Sequence, residues 1–187
     1  TPPKGCADYA FQQHIHQSLD EKNGRTAILW PHGILFRDME KQIREKMIKT
    51  DTVECIISLG PNLFYNSPME ASILVCNNNK KTDRKEKILF IDALNEVKKE
   101  KVNSYLTNKN IYKIHSVYSE FKEIEGFSRI MTMREVIDND ASLKVSKYIR
   151  SSKIPSKEIS TLEDLYDQFL KSGLNLEKSM NQLFKIL

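Results

Sequence analysis

Two apolar runs of strand length, separated by a loop rich in turn residues, most constrain what this chain can fold into. The runs are Val53–Ser58 and Ala71–Cys76, and residues 59–69 between them contain two prolines, a glycine and two asparagines. Such residues favour turns, whereas a short apolar run bounded by turn signals is typical of a buried strand. We therefore predict two strands joined by a loop, and such loops commonly carry binding residues.

Four side chains of this loop are candidates for holding a flat ligand such as a nucleic-acid base. Phe64 and Tyr65 are adjacent aromatic residues, and a base can stack on such a ring. The alternative is that one or both rings fill the core beneath the loop. Asn62 and Asn66 can hydrogen-bond either the edge of a base or the main chain of their own loop. The residues alone predict a loop able to recognise a planar group, and they identify no catalyst.

Helical and strand-like segments alternate along most of the chain. The order helix, strand, helix, strand, loop, strand, strand predicts an α/β layer whose sheet is partly parallel and then antiparallel. It is similar to the second half of a doubly wound sheet whose first half is missing. The predicted helices are 8–19, 37–49 and one capped by Thr107; the predicted strands are 25–30, 53–58, 71–76 and 88–92, and residues 122–150 are irregular with short elements.

Three of these segments carry specific expectations about burial. In the first helix, Ala7, Phe11, Ile15 and Leu19 recur every four residues, which predicts that they form its buried face. The run at residues 25–30 predicts a strand buried in the sheet. The run at residues 88–92 is continuous rather than alternating, which favours a strand covered on both faces.

A linker rich in Ser, Lys and Pro at residues 151–157 divides the chain into residues 1–150 and residues 151–187. The second part is predicted to be this linker followed by an αα-hairpin. Ser160 and Glu163 have the spacing of a capping box at the start of the first helix, and Gly173 ends it. Because two amphipathic helices cannot bury their apolar faces alone, the hairpin is expected to dock either on the rest of the chain or on a partner subunit.

Composition restricts the function classes further. The net charge of +4 permits contact with nucleic acid without requiring it. The chain has no apolar run long enough for a membrane helix and no signal-peptide pattern, and its cysteines Cys6, Cys55 and Cys76 lack metal-type spacing, so a cytoplasmic, reducing compartment is expected.

The sequence also contains no glycine-rich phosphate loop, metal-ligand cluster or nucleophile elbow. His32 follows Pro31 at a strand end, where a functional role is one alternative, but a loop hydrogen bond is its expected role.

Five short motifs of this sequence resemble motifs that occur in the same order in the modification subunit of type I restriction-modification systems. Each motif is weak alone, but their shared order over about the first three quarters of the chain is specific. The motifs are Asp8-Tyr9-Ala10-Phe11 with His14, Gly24 to Ile28, Pro31 to Arg37 with Ile43-Arg44, Asn62 to Ser67, and Leu89 to Ala93.

The resemblance implies a DNA methyltransferase specific for the N6 amine of adenine. Members of this family transfer a methyl group from S-adenosylmethionine to an adenine that is flipped out of the duplex. They hold the cofactor at a glycine-rich turn, and an Asn-Pro-Pro-aromatic loop hydrogen-bonds the target amine. This sequence has neither motif, so the catalytic residues are expected before Thr1 and the cofactor-binding residues are unknown. The implied fold is the C-terminal half of a Rossmann-like methyltransferase sheet plus a C-terminal helical hairpin.

The resemblance also implies roles for the loop and its partners. The loop is similar to the one that packs around the flipped base, which makes Phe64 the expected stacking residue, Tyr65 the alternative, and Asn62 and Asn66 their polar neighbours. The implied partners are DNA, a specificity subunit and a restriction subunit, with the hairpin near the specificity subunit; no metal is implied. The competing hypotheses are a non-catalytic module of the same fold that binds a subunit or DNA, and an unrelated α/β domain.

Overall fold

A computed structural model describes residues 6–65, 67–100 and 103–149, together with residues 166, 169–170 and 172–173. The chain forms two compact units, Thr1–Ser151 and Ser152–Leu187. The described residues of the second unit are helical. The rest of the predicted linker and αα-hairpin, including Ser160 and Glu163, lies outside the described residues, and so does Asn66.

The first unit contains a five-stranded mixed sheet, a separate two-stranded hairpin and four α-helices among its described residues. Short 3₁₀ helices at His32–Leu35, Asp38–Glu40, Thr82–Arg84 and Val145–Lys147 connect some of these elements. The elements are α1 Asp8–Gln17, β1 Arg25–Pro31, α2 Lys41–Lys49, β2 Val53–Leu59, β3 Ala71–Asn77, β4 Lys87–Ala93, β5 Lys98–Glu100, β6 Asn103–Tyr105, α3 Asn108–Glu120, β7 Ser128–Thr132 and α4 Met133–Asp138.

The strand order of the main sheet is β1-β3-β2-β4-β7. The β2–β4 pair is parallel and the other three pairs are antiparallel, which confirms the α/β class with a mixed sheet. Because β1 and β2 both run antiparallel to β3, the carboxyl ends of β1, β2 and β4 lie at one edge. Pro31 and Leu59 both pair with Ala71 there, and Leu59 also pairs with Ala93. We call this the carboxyl edge and the opposite end the amino edge.

Helices cover both faces of the sheet. On one face Tyr9, Ile48 and Val136, from α1, α2 and α4, belong to a core cluster with the side chains of the central strands. On the other face Ile114 and Val117 of α3 belong to a second cluster. Every residue of β2 is buried, and β4 is buried from its second residue onward, which confirms the prediction for residues 88–92.

Two expectations about burial were wrong. The buried residues of α1 are Tyr9 and Gln12, whereas Phe11 is 60% exposed. These polar side chains can be buried because both find partners: the Tyr9 hydroxyl donates to the Ile34 carbonyl over 3.1 Å, and Gln12 Oε1 accepts from the Trp30 indole over 2.9 Å. The second error concerns β1, none of whose residues is fully buried, since it is an outer strand of the described sheet.

Several boundaries and small elements also differ from the predictions. The helix predicted at 37–49 begins at Lys41, after two 3₁₀ helices. The β5–β6 hairpin and α4 were not predicted, because their sequences are short and largely polar. Helix α3 begins as predicted after Thr107, whose side chain and that of Asn110 form a capping box. No helix in the described part of the chain is long and apolar enough to cross a membrane.

Candidate functional site

The loop at residues 60–70 leaves the carboxyl end of β2 and returns to β3. In open α/β sheets, ligands bind in the crevice at the carboxyl ends of parallel strands. Gly60 allows this loop to lie directly against the segment that follows β4. A Cβ atom at position 60 would stand 2.5 Å from the Leu94 carbonyl oxygen and 2.8 Å from Val97 Cγ1. The two loops at the ends of the parallel strands are therefore packed together, and only glycine fits between them.

Within the loop, Asn62 begins a compact turn. Its φ angle is 60°, a left-handed conformation that asparagine adopts more readily than most residues. Its carbonyl accepts a hydrogen bond of 2.8 Å from the Ser104 amide of β6, and the Ser67 amide donates to the Phe64 carbonyl over 3.1 Å. The Asn62 side-chain amide makes no hydrogen bond with any described residue. The main chain of Asn62 thus shapes the loop while its side chain remains a possible ligand contact.

The two aromatic residues of the loop have different surroundings. Phe64 is half-buried and lines a shallow cavity of about 190 Å³. Tyr65 is 95% exposed, so it does not fill the core. The cavity is lined by Leu29, Trp30, Pro31, Phe64, Ser67, Met69, Glu70 and Ala71.

His32 lies at the same edge, directly after β1. Its Nδ1 is 3.2 Å from the Ser72 hydroxyl, which confirms the predicted hydrogen bond, and its ring meets the Phe36 ring edge-on at 5.6 Å. Burial lowers the pKa of His32 below its usual value, against a smaller opposing effect of the Glu70 carboxylate. The imidazole is therefore neutral at pH 7 and serves as a hydrogen-bonding group of the edge.

A buried arginine fixes the segment between β1 and α2. Arg44 is 1% exposed, and its guanidinium donates to the Ala141 carbonyl over 2.6 Å and to the Arg37 carbonyl over 3.0 Å. Arg37 in turn pairs with Asp8 of α1 and with the buried Glu40. These contacts give Asp8, Arg37 and Arg44, which belong to the motifs given above, a structural role. This role was not predicted from the sequence, although an arginine next to Ile43 in the apolar stripe of a helix indicated it.

A second buried network lies at the amino edge. Glu54 of β2 is 1% exposed and accepts hydrogen bonds from the Tyr118 hydroxyl over 2.6 Å, Asn77 Nδ2 over 3.2 Å and Arg84 over 3.4 Å. Burial, followed by the bond to Glu54, raises the pKa of Tyr118 to about 12. Because Glu54 lies near the amino end of β2 and the loop follows its carboxyl end, we assign this network to stability. A glutamate inside an apolar run was the signal for it.

The described residues contain no metal-binding cluster, and the two glycines of the carboxyl edge form no cofactor cradle. Among the described residues, no group of three His, Cys, Asp or Glu side chains could hold a metal ion. The glycines of the carboxyl edge do not form a cradle for S-adenosylmethionine either: the Cβ position of Gly60 is occupied by Leu94 and Val97, and that of Gly33 faces the Arg37 side chain at 3.7 Å. These residues therefore do not fit the cofactor that the resemblance implies for the complete enzyme.

Comparison with known proteins gives consistent matches. The family model for N-6 DNA methylase matches residues 1–157. The type I restriction enzyme MjaVIII methylase subunit of Methanocaldococcus jannaschii is 39% identical over 175 residues, which are 91% of this chain and 29% of that protein. The type I restriction enzyme MpnII methylase subunit of Mycoplasma pneumoniae is 30% identical over 185 residues, 98% of this chain and 34% of that protein.

A solved structure agrees with these relatives. The methyltransferase subunit of a type I restriction-modification system from Streptococcus thermophilus superposes with a TM-score of 0.73 at 32% identity, over 79% of this chain and 31% of that one. The chain spans about a third of the length of these proteins. Its relatives are methylase subunits of type I restriction enzymes, and the chain belongs to the N-6 DNA methylase family.

Proposed function

We propose that this chain forms the target-base side of a site-specific DNA adenine-N6 methyltransferase of a type I restriction-modification system. The observation that carries the proposal is the Phe64–Tyr65 turn. It stands at the carboxyl edge of the sheet, with Phe64 against a shallow cavity and Tyr65 almost fully exposed. An enzyme that methylates a base in duplex DNA must extrude it and hold it by stacking and by edge hydrogen bonds, and this loop offers both kinds of group.

The proposal assigns a role to each loop residue. Phe64 provides the face on which the flipped adenine stacks, because it borders the cavity and is held in the turn by the Ser67 amide. Tyr65 is the alternative platform, since its ring is free of the core. Asn62 and Asn66 are proposed to bond the edge of the base, a role for which an amide supplies both donors and an acceptor.

The two outer strands of the sheet support the view that the chain is the second half of a larger, Rossmann-like sheet. On β7, three amides are bonded on the side away from β4: Ser128 to the Ile124 carbonyl, Ile130 to Glu123 and Thr132 to Glu135, each over 2.8 Å. Side chains and loops that satisfy an outer strand in this way prevent it from pairing further.

Strand β1 lacks such protection. It is seven residues long, its Leu29 side chain is exposed, and none of its main-chain amides donates to a described residue outside the β1–β3 ladder. A long, unprotected outer strand with exposed apolar side chains favours further pairing. We propose that the sheet continues beyond β1 with the half that binds S-adenosylmethionine and carries the Asn-Pro-Pro-aromatic loop.

The proposed compartment and partner subunits rest on the similarity to type I methylase subunits. A type I methylase subunit would act on DNA in the cytoplasm together with a specificity subunit and a restriction subunit, and residues 151–187 are a possible docking element for them. The second candidate is a non-catalytic module that binds a subunit or DNA. The exposed ring of Tyr65 favours the base-binding function, because a purely structural turn would not require an aromatic side chain exposed to solvent.

The proposal is tested in the methylase subunit that carries these residues, co-expressed with its specificity subunit. Replacing Phe64 by Ala removes the stacking face, and stacking contributes about 1–3 kcal/mol per base, so the single-turnover rate of methyl transfer should fall about 5- to 150-fold. Tyr65→Ala tests the alternative platform in the same assay. The affinity for S-adenosylmethionine should stay unchanged, because the loop serves the base and not the methyl donor.

Two controls sharpen this test. Tyr112→Ala removes an exposed tyrosine from α3 and should leave the rate unchanged, whereas Phe64→Trp keeps an aromatic face and should retain most of it. If Phe64→Ala and Tyr65→Ala both methylate DNA at the normal rate, the base-binding role is wrong. A wild-type complex that assembles and binds DNA but transfers no methyl group would favour the non-catalytic module.

A further inference from the structure

The β5–β6 hairpin stands beside the candidate base-binding loop. It follows β4 at the carboxyl edge and forms a two-stranded sheet separate from the main one. The Ser104 amide of β6 is bonded to the Asn62 carbonyl over 2.8 Å, and Ser104 is the one buried residue of the two strands. The hairpin is thus fixed to the loop at one point and exposed elsewhere along its described strands.

Two lysines of β5 are arranged around this attachment. Lys99 pairs with Ser104 and Lys98 pairs with Tyr105, and directly opposed residues of antiparallel strands share one face of the ribbon. The Ser104 amide that bonds Asn62 points away from β5 in the plane of the ribbon, so the loop lies along the free edge of β6 and the two lysines lie one strand farther from it. The Lys98 Nζ is 5.7 Å from the centroid of the Tyr105 ring.

Neither lysine has an ion pair with a described acidic residue, whereas a lysine of α3 does. Lys113, on the neighbouring helix α3, is bonded to Glu96 over 2.5 Å, and Lys80 at the amino edge is bonded to Asp51 over 2.6 Å. Lys98 and Lys99 are both exposed. Their two positive charges are consequently available to an anionic partner beside the loop.

We propose that Lys98 and Lys99 bind the phosphate backbone of duplex DNA next to the flipped base. This inference rests on the proposed function, because that function puts DNA at the loop. Counting Cα to Cα along these links, Lys99 lies within roughly 18 Å of Phe64, through the Lys99–Ser104 pair, the Ser104–Asn62 bond and two residues of the loop. The nucleotides that flank a flipped base lie within that range, and lysine is a phosphate-binding residue that carries no base specificity.

The proposal is tested by DNA binding of the methylase subunit that carries these residues, in complex with its specificity subunit. A short fluorescein-labelled duplex is titrated with the wild type and with Lys98→Ala/Lys99→Ala, in KCl from about 50 to 200 mM. Losing two phosphate contacts should weaken binding about tenfold and reduce the slope of log K against log salt by about 1.8. Lys98→Arg/Lys99→Arg keeps both charges and should retain the wild-type slope, and circular dichroism shows that each variant is folded.

The matched control is at the other end of the preceding strand. Lys85→Ala/Lys87→Ala removes the same charge from exposed residues at the amino edge and should leave the salt slope nearly unchanged. Equal losses in the two double variants, or an unchanged slope in the hairpin variant, would each overturn the proposal.

Failure of this proposal is distinguishable from failure of the proposed function. Normal DNA binding by the hairpin variant together with slow methyl transfer by Phe64→Ala would remove the phosphate-binding role alone. The opposite result, a reduced salt slope with normal methyl transfer by the Phe64 and Tyr65 variants, would keep the hairpin as a DNA-binding surface and reject the base-binding loop.

Discussion

At the scale of single residues, the site depends on positions that the main chain restricts. Gly60 and Gly33 both follow a strand at the carboxyl edge, yet only Gly60 is closed in by a neighbouring loop. Asn62 occupies a left-handed conformation that gives its carbonyl to Ser104. The geometry of the turn that carries Phe64 and Tyr65 is therefore set by its neighbours as much as by the aromatic residues themselves.

Replacing Gly60 by Ala should destabilise the protein by about 1–3 kcal/mol, since the added methyl group would force apart the loops that follow β2 and β4. Urea denaturation followed by circular dichroism measures the change. Gly33→Ala is the control, because its Cβ would meet the Arg37 side chain at ordinary distances and should leave stability unchanged or raise it by about 0.4–1 kcal/mol. Equal effects of the two substitutions would show that the close packing at Gly60 is unimportant.

At the scale of elements, buried charged side chains connect parts of the fold that are far apart in the sequence. Arg44 joins α2 to the segment after β1 and to Ala141, which follows α4. Glu54 joins β2 to β3 and α3 through Asn77 and Tyr118. The first network holds the segment that leads from the carboxyl edge to α2, and the second holds the amino edge, so each end of the sheet has its own polar connection.

Arg44→Ala should cost about 3–5 kcal/mol of unfolding free energy, because it leaves buried carbonyls without donors and opens a cavity. The matched control is Arg134→Ala on α4: its side chain is largely exposed, its distance to Asp138 is 4.0 Å, and such surface pairs contribute about 0–1 kcal/mol. Thermal and urea unfolding of both variants provide the comparison. A loss below about 1 kcal/mol for Arg44→Ala would contradict its assigned role.

At the scale of the whole molecule, the central strands could be predicted from the sequence. The buried face of α1 and the β5–β6 hairpin could not. Continuous apolar runs determine β2, β3 and β4, because such runs are stable only when both faces of a strand are covered. The buried face of α1 was mispredicted because apolar periodicity gives no weight to Tyr9 and Gln12. Hairpin β5–β6 was not predicted because its strands are three residues long and largely polar, so they carry no apolar pattern.

The candidate site was predictable only in part. Gly60, Asn62 and the prolines indicated a loop, and the adjacent aromatic residues indicated a flat ligand. Which ring is half-buried and which is exposed depends on the turn that Asn62 begins, and no local pattern encodes that choice. The position of the β5–β6 hairpin beside the loop involves a main-chain bond between Ser104 and Asn62, which only the three-dimensional structure reveals.

We propose that residues 60–70 hold the flipped adenine, and photocrosslinking can locate the residues that contact this base. A duplex with 5-iodouracil in place of the target adenine is irradiated in complex with the methylase and specificity subunits, and the crosslinked peptide is identified by mass spectrometry. We expect a crosslink at Phe64 or Tyr65 that disappears when the iodinated base is moved to a neighbouring paired position. Efficient crosslinking confined to residues outside 60–70 would contradict it.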